Sequence, residues 1–326
     1  MMEVSARKEK LFRRYAMFVI GYTLLVILWG SLVRITGSGA GCGQHWPTCH
    51  GEIVPLAPSM ETFIEFFHRV TSGICVLAVV GLWLAARAIY PRMHGARRGA
   101  WLSFVFIIIE SLIGAAIVVL QYVGEDDSRA RAVWMAVHLA NTFVLMAVLF
   151  FTLWSARTPS PTWRGLHKTA AIALWGAVAS IMLVSMSGAV SALGHTLFPA
   201  PDGLTIVEHL RHDPWLETNY PMIVRVVHPA LSMVVTVGIW WMCGWLYDVY
   251  KTQRRVQRAS VHLAVATGAQ VACGFLNIAL SAPGWMQVTH LLMANWVWGS
   301  LLYLMFLIAT DPISEDSGGV PVRDHV

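Results

Sequence analysis

Long apolar runs alternate with short polar stretches along most of the 326 residues. Eight runs stand out: Tyr15–Ile35, Phe66–Ala86, Trp101–Gln121, Val133–Trp154, Ala170–Val190, Ile223–Tyr247, Val261–Leu280 and Val288–Ala309. Each is close to the ~20 residues that an α-helix needs to cross the hydrocarbon of a bilayer. The runs are continuous rather than alternating residue by residue. That argues against strands, and only helices and closed barrels satisfy their backbone in lipid. The pattern predicts an all-α integral membrane protein with eight transmembrane helices. The first run is long, and no small-residue cleavage pattern precedes the GSGAGC segment at Gly37–Cys42, so it reads as a retained helix rather than a signal peptide.

Composition agrees with this reading. The chain is 56% hydrophobic and 13% charged, where a soluble domain carries about 25% charged residues. The cations set the orientation. Arg7, Lys8, Lys10, Arg13 and Arg14 precede the first run, and alternate loops hold Arg87, Arg92, Arg97 and Arg98, then Arg157, Arg164 and Lys168, then Lys251, Arg254, Arg255 and Arg258. The crowded side is expected to be cytoplasmic, with both termini inside a cell inner membrane. The net charge of +5 follows from this rule and requires no nucleic-acid partner.

The segment Gly39–Gly51, GAGCGQHWPTCHG, then faces outward. Cys42 and Cys49 are too far apart for a thioredoxin-like C-x-x-C, and Cys49-His50 lacks the C-x-x-C-H spacing of covalent haem attachment. On an oxidising face the two cysteines can close a small loop. A zinc site from Cys42, His45, Cys49 and His50 is the rival, ranked lower because oxidation is the simpler fate of an outward pair. A closed loop serves either as a staple, worth roughly 2–3 kcal/mol, or as a redox-active pair. Cys75, Cys243 and Cys273 sit in spans and read as packing residues.

The two halves of the chain, 1–155 and 156–326, resemble each other weakly. His68 to Ser72 matches His228 to Ser232, Glu110-x-x-x-Gly114 matches Gln270-x-x-x-Gly274, and Val137-His138-Leu139 matches Thr289-His290-Leu291. Leu28-Trp29-Gly30 is set against Leu174-Trp175-Gly176. Repeats with both ends on one side are parallel, which implies two four-helix bundles related by a pseudo-twofold along the membrane normal.

Of 13 histidines, nine fall in loops, tails or near the inner surface. His68, His138, His228 and His290 lie near the outer ends of the even-numbered spans, two per repeat. An ionisable group within a span is costly and points to function, although a single one is as well explained by a hydrogen bond to a neighbouring helix. Two histidines on facing helices are a natural axial pair for haem iron, whereas zinc wants more ligands. Small residues such as Gly73 and Gly114 let a macrocycle approach the backbone. Arg34, Arg69 and Arg225 sit where haem propionates would emerge. Glu65 shares a helix face with His68, and the matching position in the second half is Arg225. That asymmetry points to one reactive and one passive site, with pairing to Arg69 as the plain alternative. Glu110, deeper in its span, is left open as neutral, paired or part of a proton path.

Together these residues resemble a known family. Gly30-x-x-Val33-Arg34-x-Thr36-x-Ser38-Gly39, then Cys42, Trp46-Pro47-x-Cys49-x-Gly51 and Glu65-x-x-His68-Arg69 are similar to the haem A synthases, and the resemblance extends over nearly the whole chain. It implies an oxidoreductase that converts the C8 methyl of haem O to the formyl of haem A for cytochrome oxidase, through two hydroxylations and loss of water. It further implies that His68 and His138 hold haem O, that His228 and His290 hold a haem b cofactor, that Glu65 is the catalytic carboxylate and that Cys42–Cys49 is a disulfide. Expected partners are the lipid membrane, a haem O synthase, an electron donor such as a quinol, and a homo-oligomeric copy. The third outer loop, Ser191–Tyr220, lacks the second cysteine pair of some members. The rival reading is a bis-histidine cytochrome b electron carrier or quinol oxidoreductase; a haem or solute transporter is a third. A haem O synthase is excluded on motif grounds, because Glu125-Asp126-Asp127 lies on the outer side while diphosphate sites face the cytoplasm.

Overall fold

The computed structural model describes residues 6–157, 168–198 and 222–310, with only the backbone described for 222–226. Arg164, His167, His209, His212, Arg323 and His325 lie outside the described residues, and so does the side chain of Arg225. Eight helices are long and apolar enough to cross a membrane. They are α1 (Ala6–Ile35), α2 (Met60–Ile89), α3 (Gly95–Val119), α4 (Arg129–Ser155), α5 (Lys168–Leu197), α6 (Met222–Val249), α7 (Arg254–Ala279) and α8 (Gly284–Thr310). No strand occurs among the described residues, only an isolated bridge between Cys49 and Glu52.

All eight helices outrun their apolar runs at one or both ends, by up to nine residues, and in three of them a side-chain cap stabilises the polar first turn. Ser59 Oγ accepts from Thr62 N–H at 3.2 Å to start α2, and Ser128 Oγ accepts from Arg131 N–H at 3.2 Å to start α4. His94 caps α3, its Nδ1 accepting from Ala96 N–H at 3.2 Å.

The helices α1 to α4 pack as one ring, with α1 against α2 and α4, and α3 against α2 and α4; α5 to α8 pack in the same cyclic order. The seam between the rings is made by α4 against α5 and α8 and by α1 against α8 and α5. Trp298 of α8 is fully buried there and donates to Phe143 O of α4 at 2.9 Å. Trp154 Nε1 donates to Thr310 Oγ1 at 2.9 Å. In a bilayer, where lipid is as apolar as leucine, such polar links and close packing hold helices together.

Candidate functional site

His68, His138, His228 and His290 come from α2, α4, α6 and α8 and line one cavity of ≈ 800 Å³. It lies at the end of the bundle opposite the N-terminus of α1 and reaches both rings. Each imidazole rests against a glycine of the preceding helix. A Cβ would stand 3.0 Å from His68 Cε1 at Gly30, 3.8 Å from His138 Cε1 at Gly114, 2.9 Å from His228 Cε1 at Gly188 and 3.1 Å from His290 Cε1 at Gly274. A larger residue at three of these positions would push the ring away.

This register corrects one sequence match. The partner of Gly30 is Gly188, not Gly176, which lies near the other end of α5 and whose Cβ would meet nothing within 4 Å. An apolar triplet such as Leu-Trp-Gly carries no depth information, so it aligned at the wrong level. The matches built on polar residues hold, since Glu110 and Gln270 both stand beside their α4 and α8 histidines.

The polar surroundings of the four rings differ. His138 Nδ1 is 3.4 Å from Glu110 Oε1. Glu110 accepts from Asn141 Nδ2 at 2.5 Å and from Thr142 Oγ1, so it is paired and faces His138. Gln270 Nε2 donates to His290 Nε2 at 3.2 Å. Ser187 Oγ, which donates to Val184 O, lies 3.0 Å from His228 Nδ1. Its free lone pair suits a proton on that nitrogen and leaves Nε2 as a donor atom. His68 Nδ1 is buried with no hydrogen-bond partner, as are His138 Nδ1 and His290 Nδ1.

Glu65 is buried, and both its oxygens are engaged. Oε2 accepts from Cys42 N–H at 2.7 Å, and Oε1 accepts from Arg69 Nε at 3.0 Å and from Arg69 Nη2. Arg69 also donates through Nη1 to His45 O at 2.5 Å and Thr48 O at 2.6 Å. Arg69 is therefore engaged by Glu65 and by the loop. Cys42 and Cys49 are joined, which removes the zinc alternative, and among the described residues no three His, Cys, Asp or Glu side chains cluster to hold a metal. The loop sits hard on the start of α2. A Cβ at Gly41 would lie 2.5 Å from the Glu61 carbonyl carbon, and Gly41 O accepts from Thr62 Oγ1 at 2.6 Å.

Arg34 lines the cavity but reaches across the seam, donating to Ala192 O at 2.8 Å, Thr196 Oγ1 at 2.6 Å and Gln287 Oε1 at 2.9 Å. Arg131 was missed in the sequence. It is buried, lines the same cavity and donates to Gly124 O at 2.7 Å and Asp126 O at 2.6 Å, while its Nε has no partner. Its signal was Ser128, whose cap places Arg131 in the first helical turn rather than in the loop. Asp126 accepts from Ser128 N–H and Oγ, so it serves the cap.

The spacing of the second histidine pair suits two imidazoles on one metal atom. The His228 and His290 ring centroids are 6.4 Å apart with perpendicular planes. With imidazole–metal bonds of about 2 Å, that separation leaves room for one metal atom between the rings.

The family model described as COX15-CtaA, cytochrome oxidase assembly protein, matches residues 13–302. The chain belongs to the COX15-CtaA family. Among its relatives, "Protoheme IX farnesyltransferase" from two strains of Thermus thermophilus is 42% identical over 291 residues, covering 89% of this chain and 47% of the relative. This COX15-CtaA chain thus spans about half the length of those relatives. "Heme A synthase" of Bacillus cereus is 29% identical over 295 residues, covering 87% of this chain and 89% of the relative.

Proposed function

We propose that the protein is a haem A synthase, oxidising the C8 methyl of haem O to a formyl group in the membrane. The observation that carries this reading is the pair of two-histidine sets in one cavity, with the buried carboxylate Glu65 only in the first. In this reading His68 and His138 bind the substrate haem O, and His228 and His290 bind haem b. Bound haem b supplies one-electron chemistry, and the protein supplies ligation, orientation and electrostatics. Arg131, which lines the cavity and whose Nε has no partner, is the cation available to a propionate. Glu65 is held beside the first pair by Arg69 and the Cys42 amide. There it takes a proton from attacking water or balances positive charge developing at the methyl carbon. Two hydroxylations of that carbon give a gem-diol, which loses water to leave the formyl group.

The name of the Thermus relatives does not displace this reading. The matched part is less than half of them, whereas the Bacillus synthase matches over nearly its full length. No aspartate lines the cavity, and a magnesium–diphosphate site is built on such carboxylates. A farnesylated haem is also the substrate this reaction needs, so a haem O synthase is the natural upstream partner, and the four electrons and four protons released as water oxygen enters the methyl carbon pass to an electron acceptor such as a quinone.

Replacement of Glu65 by Gln is the test. The amide keeps size but neither accepts a proton nor balances a cation. We expect haem content close to wild type and at least a hundredfold less haem A, with haem O or a hydroxylated product accumulating in cells lacking any other copy. Near-normal haem A output would leave Glu65 as a structural partner of Arg69 and would favour the cytochrome b carrier.

A further inference from the structure

Four histidines share one depth, but their support is graded. His138 Nδ1 faces the carboxylate of Glu110 at 3.4 Å, an ion-pair contact rather than a hydrogen bond, His228 Nδ1 has the hydroxyl of Ser187 at 3.0 Å, and His290 meets the amide of Gln270 at 3.2 Å through Nε2 while its Nδ1 has no partner. His68 has no hydrogen-bond partner. The position that would serve it, matching Ser187, is Trp29, whose Nε1 is spent on Ile64 O at 3.1 Å. A partner on the far nitrogen of an imidazole fixes the ring and raises its basicity toward a metal, and a carboxylate does so most strongly. The first pair is thus the most unequal of the two. It sets the strongest support opposite none, and the unsupported ring stands one turn from Glu65.

We infer that Glu110 makes His138 the firmly held ligand of the first haem site, and that His68, beside Glu65, is the one that exchanges. Glu110 is a positioning residue acting through His138. Its anchorage by Asn141 and Thr142, both on the helix that carries His138, keeps carboxylate and ring in fixed register. In the second site no carboxylate stands beside either ring, the neighbours being the Ser187 hydroxyl and the Gln270 amide. This inference rests on the proposed ligation of haem O by His68 and His138.

The experiment compares His68→Gly, His138→Gly and Glu110→Gln, purified with their haems. We expect His68→Gly to keep first-site haem and to gain binding of added imidazole or carbon monoxide. His138→Gly should retain at least tenfold less first-site haem. Glu110→Gln should raise the first-site reduction potential and leave the second-site potential in place, with Glu110→Asp recovering part of the shift. Equal loss of haem in the two glycine variants, or an unmoved potential in Glu110→Gln, would overturn the inference. A wild-type spectrum and haem complement in the His68→Gly/His138→Gly double variant would instead overturn the ligation reading, and the inference with it.

A second site stands on different ground. A groove of ≈ 740 Å³ opens where α1 and α4 face α7 and α8, toward the opposite end of the bundle from the histidines. Its wall is apolar along Leu24, Met146 and Phe150, and Arg255, Arg258 and His262 line its polar end, with no carboxylate in the lining. Neither arginine forms an ion pair among the described residues. An apolar trough ending in two free guanidinium groups between transmembrane helices complements an anionic lipid. We propose that an acidic phospholipid seats here, its chain in the trough and its phosphate on Arg255 and Arg258, bridging the two rings. Native mass spectrometry of protein from nanodiscs of mixed phosphatidylglycerol and phosphatidylcholine is expected to show retained phosphatidylglycerol, lost in Arg255→Gln/Arg258→Gln. Equal retention of both lipids by wild type, unchanged retention in the variant, or a quinone in the groove would overturn the site.

Discussion

At the scale of single residues, the chemistry rests on what each polar atom touches. His94 is a case outside the spans. Its ring stacks on Tyr90 at 4.3 Å and caps α3 through Nδ1. Burial holds its pKa below the ordinary imidazole value, opposed by the nearby charge of Glu9. The folded state therefore favours the neutral ring, and the unfolded chain takes up the proton first. This stabilisation is complete above the unfolded pKa of about 6.5 and is lost as pH falls through the lower folded value. The apparent melting temperature should drop between neutral pH and pH ~5, and His94→Gln should flatten that part of the curve. The Cys42–Cys49 bond makes a second prediction at this scale. Closing so short a loop is worth roughly 2–3 kcal/mol, yet Cys42 N–H also holds Glu65 Oε2. Cys42→Ser/Cys49→Ser should therefore lose more activity, measured as haem A output, than its modest drop in melting temperature would explain.

At the scale of elements, the glycine under each histidine decides how close two helices come. Gly188→Val should displace His228 and strip second-site haem, because even a Cβ there falls 2.9 Å from the ring. Gly176→Val, with open space around its Cβ, should leave haem content unchanged; pyridine haemochrome spectra of the two variants check this. The same contrast shows what the sequence could and could not carry. The eight helices were legible because lipid demands long apolar runs, and the four histidines because a span tolerates so few ionisable groups. Helix ends were not, since the polar first turns stabilised by Ser59, Ser128 and His94 look like loop. The glycine register was not legible either, because it depends on depth rather than on residue type. The commitment of Arg69 to Glu65 and two loop carbonyls was half visible, as an i,i+4 pair, but the carbonyls come from a loop whose path no periodicity describes.

At the scale of the whole molecule, the two rings are joined by a seam that the cavity crosses. Arg34 crosses it too, carrying three hydrogen bonds from α1 to α5 and α8. Hydrogen bonds to charged groups are worth about 1.5–3 kcal/mol, so Arg34→Ala should lower the apparent melting temperature by several degrees. Chains expressed as separate halves, 1–155 and 156–326, should co-purify less well when they carry it. The shared cavity also sets a timetable. Leu291, Ala294 and Val297 of α8, together with His290, close its wall, and α8 is the last of the eight helices to leave the ribosome. A chain with seven helices in the membrane has a slot open along one side. A ligand that enters early can leave again, and the full wall is in place only when translation has delivered the final helix. Filling of the completed cavity is thereby a step that follows synthesis of the eighth helix.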